Sequence, residues 1–116
     1  MAVISAAEQD TFIVPKLPLI MKTGPYYSTH CLRTSEVSGA EDETRQILYA
    51  FCGAMKDHGL DFDHITAATV HVKNSDDAEL VLKVWDEFFP TSVCPFVLEA
   101  PLGNDFVEIQ FLLYKA

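Results

Sequence analysis

The sequence predicts an α+β fold, a mixed β-sheet with two helices packed on one face. Two amphipathic helical stripes predict it, Ile47, Leu48, Phe51, Cys52 and Met55, then Leu80, Val81, Val84, Trp85 and Phe88. Two segments that alternate with period two, residues 65–73 and 106–114, supply the central strands. Two helices of this kind need a sheet to cover, which gives the order β, β, α, β, α, β, β.

From the N-terminus, residues 11–14 (T-F-I-V) are β-branched and aromatic and stop at Pro15, which reads as a first strand. Residues 16–25 hold Pro15's successors Pro18 and Pro25 together with Gly24, so this stretch reads as a connector. Residues 26–37 have room for one or two strands. Glu41, Asp42 and Glu43 then favour a helix N-terminus through the macrodipole, and Gly59 supplies the stop. After the turn at Asp61-Phe62-Asp63, residues 65–73 put Ala68, Val70 and Val72 on one side and Thr69, His71 and Lys73 on the other. Asn74 to Asp77 form a loop and cap, and the second stripe runs to Pro90. Residues 96–98 and 106–114 read as two strands joined by a turn at Gly103-Asn104. In the last strand Val107, Ile109, Phe111 and Leu113 alternate with Glu108, Gln110, Leu112 and Tyr114. The helices cover one sheet face only. The other carries Ala67, Thr69, Leu112 and Tyr114, too apolar for open solvent, and an apolar face of that size predicts an oligomer.

Composition limits the function. The 116 residues fit one domain, and 49% apolar content is globular rather than disordered. Seventeen acidic against 8 basic residues give a net charge of −9, which repels a phosphate backbone and argues against nucleic acid as a partner. Cys31, Cys52 and Cys94 are odd in number and far apart, which argues against a disulfide framework and for a reducing, cytoplasmic setting. No signal peptide and no membrane-length apolar run is legible. His30, His58, His64 and His71 show no metal-ligand spacing, so no metal and no cofactor is expected.

Five features carry candidate chemistry. Glu108, flanked by Val107 and Ile109, is a general acid or base if it faces a cleft, and a solvated edge residue otherwise. His71 is the histidine best placed to line a pocket. Cys94 has no sequence neighbour able to activate a thiolate, so a small packing residue is the commoner outcome. Tyr26 and Tyr27 follow a Gly-Pro turn and can stack on a ligand or pack an interface, while Ser38-Gly39 offers free backbone N–H groups near a helix start.

Taken together, E-T-R-Q-I-L (43–48), G-L-D-F-D-H-I (59–65), T-V-H-V (69–72), V-W-D-E-F-F (84–89) and A-P-L-G-N-D-F-V-E-I (100–109) resemble the Rid family, the YjgF-like reactive intermediate deaminases. G-P-Y (24–26) and V-S-G (37–39) resemble two further motifs of that family, and the match is best over residues 41–114. The resemblance implies a chorismate-mutase-like fold and a homotrimer with clefts between subunits. It also implies hydrolysis of enamines and imines, with Glu108 positioning the water and Tyr26, Gly39 and Cys94 lining the cleft. Where the family reads P-x-R-S-C, this chain reads P-T-S-V-C, with Ser92 in place of the arginine that clamps the substrate carboxylate. A guanidinium–carboxylate pair is directional and charge-assisted, and serine offers one neutral hydroxyl. The resulting expectation is a divergent Rid-like enzyme acting on a small carbonyl, enamine or imine, with Glu108 as acid/base and Tyr26, His71 and Ser92 in the cleft. A non-catalytic ligand-binding or scaffolding protein is the second reading, and an ordinary 2-imino acid deaminase, with Arg33 or another group holding the anion, the third.

Overall fold

The computed structural model describes residues 19–30, 32, 34 and 39–116. The strand expected at 11–14 lies outside them, as do Cys31, Arg33 and Ser38. The described elements are β1 (Ile20–Thr23), β2 (Tyr26–Thr29), α1 (Ala40–Asp57), β3 (Ile65–Val72), α2 (Ala78–Phe88), β4 (Phe96–Glu99) and β5 (Val107–Tyr114). They form a five-stranded sheet in the order β1-β2-β5-β3-β4, with β3 and β4 parallel and every other neighbour antiparallel.

Period-two patterning decides the inner face. Ala68, Val70 and Val72 of β3 and Val107, Ile109, Phe111 and Leu113 of β5 are buried, and both helices lie over them. Phe51 of α1 stacks on Phe111 at 3.7 Å between ring centroids, and Trp85 of α2 stacks on the same ring at 5.6 Å. Trp85 keeps its polar atom satisfied, with Nε1 donating to the Val93 carbonyl at 2.8 Å. Across the outer surface of the helices, Arg45 Nη2 bonds Glu87 at 2.8 Å and Glu41 at 3.4 Å. Among the described residues no helix is long and apolar enough to cross a membrane.

Two expectations need correction. The connector at 16–25 contains a strand: β1 pairs with β2 as a hairpin, Thr23 opposite Tyr26. Its two-residue loop starts with Gly24 at φ 59, a conformation that suits glycine, followed by Pro25 with its fixed negative φ. The prolines mark the ends of this element rather than exclude it. The last two strands are also not a hairpin. β3 lies between them, parallel to β4 and antiparallel to β5, so the segment around Gly103 (φ 67) crosses from one side of β3 to the other.

Candidate functional site

The sheet face away from the helices carries the candidate site. On β3, Ala67, Thr69 and His71 point to it; on β5, Glu108, Gln110, Leu112 and Tyr114 do. The antiparallel register sets His71 directly opposite Glu108. Cross-strand partners on one face have Cβ atoms about 4.5–5.5 Å apart, and here Glu108 Oε1 lies 3.8 Å from His71 Nδ1. That distance is within reach of a charge interaction and long for a direct hydrogen bond. The Glu108 side chain is 16% exposed and that of His71 27%, so both groups are sheltered but reachable. Lys73 stands two residues beyond His71, and its Nζ lies 5.6 Å from the centre of the Phe106 ring. Next to His71 on the other side is Leu98 of β4.

The other sequence candidates do not converge on this pair within one chain. Tyr26 is opposite Tyr114, and the two rings meet edge to face at 5.1 Å. Tyr114 is six residues along β5 from Glu108, roughly 20 Å at the usual strand rise. Cys94 is four residues before Leu98, the β4 residue level with His71, and it is exposed. Ser92 is exposed in the turn between α2 and β4, where the Val93 amide donates to Pro90. Gly39 is the N-cap of α1, extended at φ 176, and its carbonyl accepts from the Glu43 amide at 3.0 Å. Among the described residues no three His, Cys, Asp or Glu are grouped so as to hold a metal ion.

Tyr26, Leu112 and Tyr114 on this face are exposed, and so are Phe96 and Leu98 of the edge strand β4. A shallow depression of about 260 Å³ lies over the middle of β5, lined by Ser28, Ala67, Thr69, Gln110 and Leu112. Apart from Lys73, the described surface around the Glu108–His71 pair is largely apolar.

One residue near the site was misread from the sequence. Glu43 belongs to the acidic first turn of α1, but its side chain is buried, 1% exposed. Oε1 accepts the backbone N–H groups of Phe106 at 2.9 Å and Val107 at 3.1 Å, the two residues before Glu108. Burial pushes the Glu43 carboxyl up from its ordinary value, Asp105 adds to this, and the two amides and Lys73 oppose it. The signal was present: Glu43 is four residues before Ile47 and so lies on the apolar stripe.

No protein-family model matches the chain, and no curated protein does. Solved structures do. A YjgF-family protein from Neisseria meningitidis superposes with a TM-score of 0.76 at 19% identity, covering 89% of this chain and 90% of its own. RidA from an Antarctic Psychrobacter does so at 0.73 and 13%, covering 89% and 91%. The fold is that of the YjgF/Rid proteins. A further solved structure, an endoribonuclease L-PSP protein from Entamoeba histolytica, superposes with a TM-score of 0.71 at 11% identity over 87% of this chain and 89% of its own. The Rid-like fold was the expectation drawn from the sequence motifs, and the mixed five-stranded sheet with two helices matches it.

Proposed function

We propose that this chain is a divergent Rid-like enzyme that hydrolyses a small imine, enamine or related carbonyl compound in a cleft between copies of itself. The observation that carries this reading is the Glu108–His71 pair, half-sheltered on the sheet face away from the helices. Glu108 takes a proton from water as its oxygen bonds to the imine carbon. The C=N electron pair moves to nitrogen, which takes that proton from Glu108 to give a carbinolamine. Glu108 then accepts the carbinolamine hydroxyl proton as the C=O bond forms and the C–N bond breaks. This second proton passes to the nitrogen, which leaves as the amine, with the His71 imidazole beside Glu108 placed to relay either proton. A carboxylate and an imidazole side by side suit such a two-way proton transfer.

The cleft is placed between subunits because Tyr26 and Glu108 of one chain are too far apart to share a small ligand. The apolar rings on the same face favour burial against a second and third copy, a homotrimer formed by the whole chain as one domain. There is no arginine after Arg45 in the sequence, so an anionic 2-imino acid has no guanidinium from the segment 46–116. A neutral or weakly charged substrate suits the face better. The net charge of −9 speaks against RNA as the substrate.

The test is ammonia release from a panel of enzymatically generated imines, neutral and carboxylated. The proposal expects turnover, strongest for the neutral members and abolished by Glu108→Gln. Saturable binding without turnover, read as a thermal shift, favours a ligand-binding protein instead; ligand at 100 times its Kd adds about 2.7 kcal/mol to stability.

A further inference from the structure

The start of β5 is held in an unusual way. Ile109 exchanges both backbone hydrogen bonds with Leu32, donating at 3.0 Å and accepting at 2.7 Å. Backbone groups two residues apart point to the same side of a strand, so the Val107 amide faces the same edge as that of Ile109. Among the described residues no strand residue accepts from it there. The acceptor is the Glu43 carboxylate of α1, whose Oε1 also takes the Phe106 amide. On the opposite edge Phe106 accepts from Lys73 of the β3 side, at 3.0 Å. The backbone immediately before Glu108 is thus clamped between a helix carboxylate and the strand that carries His71.

We propose that Glu43 is a positioning residue for Glu108: it accepts the two amides that lead into β5, fixes the backbone of residues 106 and 107, and thereby sets the separation of Glu108 from His71. The role rests on the reading of Glu108 as the acid/base, but the placement itself is measurable without any activity. A buried acid costs more to keep than a buried apolar side chain unless its hydrogen bonds are needed. Here both go to the two residues that lead into the reactive strand, and neither serves the helix.

Crystal structures and steady-state kinetics of Glu43→Ala, Glu43→Gln and Met55→Ala test it. Met55 is buried on the same helix twelve residues away, so its truncation lowers stability without touching the start of β5. In Glu43→Ala, Glu108 Oε1 is expected to move out of the 4 Å range of His71 Nδ1, by about 1 Å or more, and kcat to fall about 10- to 100-fold with KM little changed. Glu43→Gln, which retains a carbonyl acceptor, restores both the distance and the rate, and Met55→Ala leaves both alone. If Glu43→Ala does not fold, Glu43→Asp, shorter by one methylene, is expected to displace Glu108 in the same sense. Glu108 unmoved in the folded alanine or aspartate variant overturns the inference. A displaced Glu108 in a protein whose Glu108→Gln variant turns over normally leaves the positioning intact and removes the enzymatic reading instead.

Discussion

Glu43 also makes the sharpest prediction about stability, because two of its effects have opposite signs. Its Oε1 holds two amides at 2.9 and 3.1 Å, and the residue is 1% exposed. Glu43→Ala strips both amides of their acceptor. A buried amide without a partner costs about 1–3 kcal/mol, and Phe106 is only half-buried, so a total near 3 kcal/mol is expected. That is a large share of the roughly 5–15 kcal/mol of a typical domain. Glu43→Gln keeps an acceptor and removes the charge. The Glu43 carboxyl titrates above the ordinary 4.5 because burial disfavours its anion. A raised folded-state value means that folding favours the protonated form relative to the unfolded chain. Its contribution is complete below the unfolded value and is lost as pH rises through the folded one. Glutamine does not titrate, so the stability of the natural protein relative to Glu43→Gln should be highest in acid, below the unfolded value of about 4.3, and fall as pH rises through the raised folded-state value. Urea unfolding at fixed chain concentration, repeated across that range, reads the difference. An advantage of the natural glutamate that grows with pH, or a Glu43→Ala protein within about 0.5 kcal/mol of the parent, refutes the reasoning.

Three further outcomes follow from the packing and the turns. Phe111→Ala removes the ring on which Phe51 and Trp85 both stack and should cost about 3–5 kcal/mol in chemical unfolding. Gly24→Ala places a Cβ on a residue at φ 59 and should lower stability by about 1–2 kcal/mol while leaving the open sheet face intact; no loss in thermal unfolding contradicts the assigned hairpin. Leu112→Glu together with Tyr114→Glu puts charge on the open sheet face, which should leave a native circular dichroism spectrum but convert the assembly to monomers in sedimentation.

How much of this was legible in the sequence depends on whether the signal was local. The helices and the two long strands follow from spacing alone, because Phe51, Met55, Val84 and Trp85 at helical intervals and Val70, Val72, Ile109 and Phe111 at strand intervals report one buried face directly. Strand pairing is not local. Nothing between Leu98 and Phe106 says that β3 will lie between β4 and β5, and a glycine turn between two apolar runs is equally compatible with a hairpin. β1 was hidden because Pro18 and Pro25 bracket a four-residue edge strand and outweigh Ile20 in composition. At the site, His71 and Glu108 were each placed on the outward face by alternation, but their pairing is a matter of register, which spacing within either strand does not fix. Glu43 was read by its helix-end position when its place on the apolar stripe was the more informative fact.

The central claim is that the working cleft takes Glu108 from one copy and Tyr26 from another. It is tested most directly by refolding Glu108→Gln chains together with Tyr26→Ala chains, each inactive alone, and measuring imine hydrolysis by the mixture. If the cleft is shared, equal random mixing into closed symmetric assemblies leaves about a quarter of the clefts with both native side chains, and the mixture regains about a quarter of the parent rate. A mixture no more active than the two variants assayed separately contradicts the account.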